Sequence, residues 1–265
     1  MQIEWKGVSF DIDDQKGGDA FFILGVRKSG SSMFNRVAQL LCRYNDCNYV
    51  DVAGSLFNKN IKVGEWVRDP SFGDIIRGGN AYGGFRTFPS GLLGNAAFND
   101  GKKVLLVRDP RDALVSEYFS NAFSHSIPKK TAEGGARENL LAQREAALAS
   151  PIDDYVLGRA KMMGRTMLEY APILGDPKLL LLKYEDIIFD KRKMIADVID
   201  HFGWTLRKPQ VDAILGWVDV KPDQENPKQF IRKVTPGDHQ DKLKNETIIS
   251  LGRELDTVMK TFHYI

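Results

Sequence analysis

The segment FFILGVRKSGSS, residues 21–32, decides the fold of this 265-residue chain. It begins with an apolar run typical of a buried strand, passes through a turn with Gly25 and Gly30, and ends in two serines. A helix is predicted to follow, because apolar residues recur on one face: Met33, Val37, Leu40 and Leu41. A strand, a glycine turn and a helix in this order form a cradle for a phosphate, since backbone N–H groups gather at the positive end of the helix.

The order of the polar residues in this turn indicates which phosphate compound it binds. A Walker A loop reads G-x-x-x-x-G-K-[ST], with a lysine after the second glycine and a hydroxyl on magnesium. Here the glycines keep that spacing, but Lys28 precedes Gly30, and Ser31 and Ser32 follow it. The sequence therefore favours a donor that needs no metal over magnesium ATP. A serine-capped helix after a core strand is the alternative that this loop alone leaves open.

A second strand and helix carry another group of charged residues. KKVLLV (residues 102–107) predicts a strand, and RDPRDALVS (residues 108–116) continues into a helix whose dipole Asp112 suits. Arg108 lies where the strand ends, at the sheet edge where ligands usually bind, and Ser116 follows about two helical turns later. Arg108 and Ser116 are therefore predicted to form a second phosphate site. A surface cluster of salt bridges is the alternative.

Together the two segments resemble the paired signature of the sulfotransferases that use 3′-phosphoadenosine-5′-phosphosulfate (PAPS). In that family [PR]-K-[ST]-G-[ST]-[ST] binds the 5′-phosphosulfate and R-[ND]-P-[RK]-D-x-x-x-S binds the 3′-phosphate. RKSGSS (residues 27–32) and RDPRDALVS (residues 108–116) match both. YED at residues 184–186 resembles a strand end whose tyrosine lies beside the adenine, and FIRKVTPGDH at residues 230–239 resembles a late R-K-G-x-x-G-D loop. The resemblance covers about residues 20 to 245.

The resemblance implies an α/β fold of three layers, with a central parallel sheet flanked by helices on both faces, similar to P-loop NTPases. It implies one domain over residues 1–265, PAPS as donor, 3′-phosphoadenosine 5′-phosphate (PAP) as product, and no metal. Lys28 would be catalytic, because its ammonium would stabilise charge on the leaving 5′-phosphate. The residues predicted to bind the cofactor are Arg27, Lys28, Ser29, Gly30, Ser31, Ser32, Arg108, Ser116, Tyr184, Arg232 and Lys233.

The chain departs from the family pattern at two positions. Val234 replaces the glycine after the late Arg-Lys pair. Many members carry a catalytic histidine in a K-T-H-[LFP]-P segment, whereas residues 86–89 read RTFP and put Phe88 in that place. His125, in the loop after the second motif, is the predicted general base; a solvated loop histidine is the alternative. The other histidines are assigned to structural roles or to the cofactor side: His201, His239 and His263.

Composition is that of an ordinary enzyme domain, with 43% hydrophobic and 27% charged residues. A net charge of +2 gives no global field for nucleic acid or a polyanionic glycan. Two cysteines, no signal-peptide pattern and no apolar run of about 18 residues predict a cytoplasmic enzyme that binds neither nucleic acid nor membrane. The predicted partner is a small-molecule acceptor, and its sulfated atom and the oligomeric state stay open.

The rest of the chain predicts alternating helices and strands, with strands near residues 48–53 and 179–183. Glycine-rich segments at 71–84 and 124–136 are predicted to be loops, either lids over an acceptor or ordinary surface loops. Aromatic residues between the motifs suggest either a partly apolar acceptor or core packing: Phe57, Trp66, Phe72, Tyr82, Phe85 and Phe88.

Two other functions stay open. A small-molecule kinase with a degenerate P-loop would require magnesium and an acidic ligand such as Asp109 or Asp186, but the position of Lys28 and the late Arg-Lys pair disfavour it. A non-catalytic nucleotide-binding protein on the same fold is the second, because fold alone does not give function.

Overall fold

The computed structural model describes residues 1–125, 136–220, 222, 224–229 and 231–265. The strands among these residues are β1 (Gln2–Trp5), β2 (Val8–Asp11), β3 (Phe21–Gly25), β4 (Asn48–Asp51), β5 (Asn80–Gly83), β6 (Lys102–Val107) and β7 (Leu179–Lys183). The α-helices are α1 (Ser31–Tyr44), α2 (Val52–Asn58), α3 (Ala96–Asp100), α4 (Pro110–Phe119), α5 (Ala136–Ala149), α6 (Ile152–Leu168), α7 (Tyr184–Ile187), α8 (Lys191–Phe202), α9 (Lys208–Val218), α10 (Asp238–Lys242), α11 (Asn245–Glu254) and α12 (Asp256–Thr261). The described chain divides into two compact units, residues 1–107 with 172–219 and residues 108–171 with 220–265.

The first unit contains a five-stranded sheet in the order β4-β5-β3-β6-β7 and a separate hairpin of β1 and β2. All neighbours in the five-stranded sheet are parallel. β3 lies at the centre with all five residues buried, as expected for a strand covered on both faces. Gly25 at the end of β3 pairs with Leu106 near the end of β6, so the carboxyl ends of these strands coincide. The chain leaves β3 towards β4 and β6 towards β7, in opposite directions, and such a divergence is where open α/β sheets bind ligands.

Helices cover both faces of this sheet. Phe21 and Ile23 of β3 belong to a core formed with α1, α8 and α9. On the other face, the ring of Phe22 packs against Phe98 of α3 with centroids 4.8 Å apart, and against Tyr82 of β5 at 5.7 Å. Full burial of an aromatic side chain contributes about 1.5–3 kcal/mol. The predicted fold, a parallel sheet between layers of helices, is confirmed.

The second unit is helical. α4 packs against α6, against α10 and against a π-helical turn at Ser120–Ser124, and α6 packs in addition against α11 and α12. α4 and α6 bury Leu114, Val156 and Met167 within this unit. The helix predicted from residue 110 to about residue 123 therefore ends at Phe119 and continues as the π-helical turn. In the described part of the chain, no helix is both long and apolar enough to cross a membrane.

The prediction of a loop at residues 71–84 is wrong. This segment contains most of a 3₁₀ turn, Pro70–Ile75, and strand β5, whose four residues are all buried. β5 reads NAYG and has no apolar run, so neither periodicity nor propensity reveals it. Asn80 is accepted in the sheet because its side chain both accepts from the backbone of Asp13 at 2.9 Å and donates to it at 2.7 Å. The other predicted loop, 124–136, lies mostly outside the described residues.

Candidate active site

The loop between β3 and α1, residues 26–30, is called the phosphate loop below, and bonds within the first unit fix its shape. The Val26 N–H donates to the Leu106 carbonyl at 3.0 Å, which extends the pairing with β6 by one residue. The fully buried Ser29 donates twice to the Val26 carbonyl, from its hydroxyl at 2.6 Å and from its N–H at 3.3 Å. Ser29 therefore shapes the loop from inside.

Two residues of the phosphate loop have left-handed backbone conformations. Lys28 has φ 66° and Gly30 has φ 89°. Such residues turn successive N–H groups to one side and form the concave arrangement that binds anions. α1 begins at Ser31, and its N-cap residue Gly30 provides no side-chain cap. The serine-capped helix considered as the alternative is not formed, and the N-terminus of α1 has the geometry of an anion site.

Tyr184 lies against the phosphate loop. It is the first residue of α7, directly after β7, and is 5% exposed. A Cβ atom built on Gly30 would lie 3.2 Å from ring atom Cδ2 of Tyr184 and 3.3 Å from Cε2. Both the positive φ and this ring therefore exclude a side chain at position 30.

Arg86 is a cation of this site that the sequence patterns leave unassigned. It follows β5, the neighbour of β3, and its Nη2 donates to the Ser32 hydroxyl at 3.1 Å. An arginine shortly after a strand that ends at this sheet edge would have identified Arg86 as a candidate site residue. That signal is hidden because β5 resembles a loop in sequence.

Phe88, at the position of the family histidine, belongs to the core. It is 1% exposed and its ring centroid lies 6.3 Å from that of Phe98. Core packing also accounts for most of the other aromatic residues of this region, which are buried: Trp66, Phe72, Tyr82 and Phe85. Only Phe57 of that group is exposed, so these residues give no support to a partly apolar acceptor.

In the second unit, Arg108 and Asp112 form a buried ion pair. The Arg108 Nη2 lies 3.5 Å from Asp112 Oδ2, and the two residues are 7% and 0% exposed. The alternative of an exposed salt-bridge cluster is wrong for this pair. Asp109 instead pairs with Arg111 at 2.6 Å and caps α4 by accepting the Arg111 N–H. Ser116 lies one turn beyond Asp112 on the same face of α4.

Asp112 also holds the start of α10. Its Oδ2 accepts the Gly237 N–H at 2.7 Å, and its Oδ1 accepts the N–H of His239 at 2.9 Å and Nδ1 of the same residue at 2.7 Å. Burial alone would raise the pKa of Asp112, but the hydrogen bonds from His239 and Gly237 and the charge of Arg108 lower it to about 2. Asp112 is therefore ionised at neutral pH. From the sequence alone, this residue only suits the helix dipole.

Arg232 and Lys233 lie among carboxylates of the same unit. The Arg232 guanidinium pairs with Glu225 and with Asp238, and it is 9% exposed. The Lys233 Nζ lies 3.0 Å from Asp238 and 3.1 Å from Asp241. Asp238 is 1% exposed, so it is a buried anchor for both cations. Phe230, at the start of this motif, lies outside the described residues.

The histidines differ in their surroundings. His125 is exposed after the π-helical turn; its N–H donates to the Ser120 carbonyl at 2.7 Å and its carbonyl accepts Nη2 of Arg144 at 2.6 Å. Nε2 of His201 lies 3.0 Å from the Lys103 carbonyl, and burial lowers the pKa of this imidazole. These contacts are compatible with the structural role predicted for His201, which stays a prediction. Among the described residues, no group of three or more His, Cys, Asp or Glu side chains has the arrangement of a metal site.

Comparisons with known proteins agree with this geometry. The family model of the sulfotransferase domain matches residues 18–262. Mouse sulfotransferase SULT7A1, solved in complex with PAP, has a TM-score of 0.55 and 13% identity, covering 96% of this chain and 93% of that one. Retinol dehydratase, solved with androsterone and PAP, has a TM-score of 0.50 and 18% identity, covering 91% and 80%. At these identities the structures show a shared fold, and no curated protein sequence matches. Since the family match extends over nearly the whole chain, the chain belongs to the sulfotransferase domain family.

Proposed function

We propose that this enzyme transfers the sulfuryl group of PAPS to a hydroxyl or amine of a small-molecule acceptor, with the phosphate loop binding the 5′-phosphosulfate. The geometry of that loop carries the proposal. Ser29 fixes the loop from inside, and two left-handed residues, Lys28 and Gly30, turn its N–H groups to one side. PAPS supplies a mixed anhydride whose bond between sulfur and the 5′-phosphate oxygen breaks as sulfur bonds to the acceptor, which loses a proton.

The residues of the loop fit an anionic group. Because Gly30 has no side chain and Tyr184 covers one side of it, a ligand would meet backbone N–H groups there. The N–H groups and hydroxyls of Ser31 and Ser32 would bind the 5′-phosphate at the positive end of α1. The side chain of Arg27 is exposed and would add charge at the mouth of the loop.

Lys28 would stabilise the leaving group. Its ammonium would follow the negative charge onto the bridging oxygen and the 5′-phosphate. A donor aimed at developing charge contributes a few kcal/mol, about a hundredfold or more in rate. Arg86, held by the Ser32 hydroxyl, would be a second cation for the oxygens of the sulfuryl group.

The second unit supplies the residues proposed for the 3′-phosphate. Arg108, Arg232 and Lys233 would bind it through charge-assisted hydrogen bonds, with the Ser116 hydroxyl as a further donor. Support comes from the buried guanidiniums of Arg108 and Arg232, which are oriented by carboxylates before any ligand binds. Tyr184 is proposed as an adenine contact.

The general base would be His125, since Phe88 is in the core and Asp112 binds Nδ1 of His239. A hydroxyl acceptor needs such a base, and general-base catalysis typically contributes 10²- to 10⁴-fold. We expect His125→Gln to lower turnover of an alcohol or phenol by about a hundredfold while PAP binding is unchanged. A loss of turnover below threefold would show that His125 is a solvated loop histidine and not the general base.

The test of the function is turnover of labelled PAPS with a panel of alcohols, phenols and amines, in the presence of a metal chelator. We expect label to appear on at least one acceptor class. If the chain binds PAP but neither transfers nor hydrolyses PAPS, it is a non-catalytic binding protein. If it consumes magnesium ATP and ignores PAPS, the kinase alternative holds.

A further inference from the structure

Asp112 is an extensively bonded side chain of the second unit to which the proposed function gives no role in binding the donor. It is fully buried, and its two oxygens bind Arg108 Nη2, the Gly237 N–H, and both the backbone N–H and the ring Nδ1 of His239. A carboxylate in such a place is stable only if it is paired and fully hydrogen-bonded, since its desolvation is expensive. All of these donors come from parts of the chain that carry predicted 3′-phosphate residues.

Asp112 accepts hydrogen bonds from the residues directly before and after Asp238, which are Gly237 and His239. Gly237 has φ 83° and makes the turn into α10, and His239 follows Asp238 directly. Asp238 in turn pairs with Arg232 and Lys233. A carboxylate that holds the residues before and after Asp238 therefore fixes where Asp238 places its two cations.

We propose that Asp112 is a positioning residue for recognition of the 3′-phosphate, which aligns Arg108 directly and Arg232 and Lys233 through the start of α10. This inference rests on the proposed function. Asp112 does not touch the ligand itself. It sets the positions of three cations that come from two separate stretches of sequence, and the discrimination between a nucleotide with a 3′-phosphate and one without it depends on that alignment.

His239 is the partner that makes this arrangement specific. At neutral pH an ionised Asp112 can only accept, so the bond to the imidazole requires a proton on Nδ1. An asparagine at position 239 places an amide N–H near the position of Nδ1, whereas an alanine leaves that oxygen without its donor. Asparagine and alanine at 239 therefore form a matched pair that leaves Asp112 itself in place.

The test measures binding of PAP and of adenosine 5′-phosphate by calorimetry in the wild type and in Asp112→Asn. We expect the preference for PAP over adenosine 5′-phosphate to fall at least tenfold in Asp112→Asn, with the affinity for adenosine 5′-phosphate changed less than twofold. His239→Ala should lose part of the same preference, and His239→Asn should restore it.

Glu117→Gln is the matched control. Glu117 is another buried carboxylate of α4, 2% exposed, and it accepts from Arg159 at 2.8 Å and from the Tyr155 hydroxyl at 3.2 Å. We expect Glu117→Gln to lower the melting temperature, as Asp112→Asn does, but to keep the preference for PAP over adenosine 5′-phosphate.

The outcomes separate the positioning role of Asp112 from the proposed function. A wild type that prefers PAP, with an Asp112→Asn variant that keeps this preference or loses both ligands equally, overturns the positioning role alone. A wild type that does not distinguish the two nucleotides contradicts the proposed function, and the inference with it. If Asp112→Asn does not fold, equal preferences in His239→Ala and His239→Asn overturn the inference.

Discussion

In the first unit, the phosphate loop takes its shape from backbone bonds and one buried hydroxyl, whereas in the second unit the residues proposed for the 3′-phosphate are held by buried carboxylates. We call Arg108, Asp112, Arg232, Lys233 and Asp238 the 3′-phosphate cluster. We propose that both parts bind an anion, the loop mainly through N–H groups and the cluster through its cations. They differ in what disturbs them: the loop depends on backbone conformation, and the cluster depends on ionised side chains.

The two parts also differ in how far apart their residues lie in the sequence. The residues proposed to bind the 5′-phosphosulfate, from Arg27 to Ser32, are consecutive in the sequence, so a short motif can identify them. The cluster is assembled from residues more than a hundred positions apart, and its ion pairs are seen only in the fold. Four predictions sharpen this difference.

The largest effect is expected in the phosphate loop, for Lys28→Gln. Turnover of PAPS should fall about a hundredfold or more, because the ammonium that stabilises the leaving group is lost. PAP binding should change only a few-fold, since backbone N–H groups stay in place. Lys28→Arg is the control that keeps a charge, and equal turnover of Lys28→Gln and the wild type would remove Lys28 from catalysis.

In the 3′-phosphate cluster, Asp112 should stabilise the fold in a pH-dependent way. Its pKa is lowered from 3.8 to about 2, so the folded state favours the ionised form. The resulting stabilisation, about 2 kcal/mol, is complete above about pH 5 and is lost as the pH falls through 4 towards 2. Urea unfolding at several pH values should therefore show the gap between wild type and Asp112→Asn shrinking below pH 4. A gap that stays constant from pH 6 to pH 3 would contradict it.

A backbone change should disturb the phosphate loop without involving charge. In Gly30→Ala, a left-handed residue gains a Cβ atom 3.2 Å from the Tyr184 ring, so we expect PAP and adenosine 5′-phosphate to bind about tenfold more weakly alike. Gly94→Ala is the matched control, because Gly94 has φ 84° with no atom within 4 Å of an added Cβ. It should lower stability and leave binding unchanged, and the same binding loss in both variants would make the effect nonspecific.

The smallest effect is expected at the edge of the 3′-phosphate cluster. Glu225 pairs with Arg232 and with Lys242, so it competes with a 3′-phosphate for the guanidinium. In Glu225→Gln we expect PAP to bind about two- to fivefold more tightly, as suits a partly exposed ion pair, with no change for adenosine 5′-phosphate. Weaker binding of PAP would show instead that Glu225 orients Arg232. Asp241→Asn, at a more exposed partner of Lys233, is the control and should change less.

Much of the fold can be predicted from the sequence, because its decisive elements have strong local signals. β3, α1, β6 and β7 show apolar runs or a helical period; β6 and β7 match the predicted bounds, and β3 and α1 lie where a strand and a following helix are predicted. β5 lacks such a signal, since NAYG becomes a strand only through its neighbours β3 and β4. The hairpin of β1 and β2 is missing from the predictions although its signal is local: apolar residues alternate on both sides of a two-residue turn, Lys6 and Gly7, which have φ 52° and 70°.

The candidate site likewise contains residues that the sequence predicts and residues that it does not. The residues from Arg27 to Ser32 can be predicted as cofactor-binding from the resemblance of one short segment to the family motif. Arg86 is missed because the strand before it is missed, and Asp112 is undervalued because its partners, Gly237 and His239, lie 125 and 127 residues away. Contacts at that separation are set by packing and not by local sequence, so a motif can name Arg108 without showing what holds it.

The proposed function requires that this chain bind PAP, the product of the transfer, without a metal, and calorimetry measures that binding. We predict micromolar binding of PAP in the presence of a chelator, weaker binding of magnesium ATP, and a loss of PAP affinity in Arg108→Ala. Absence of PAP binding, or a preference for magnesium ATP that Arg108→Ala leaves intact, would contradict the account.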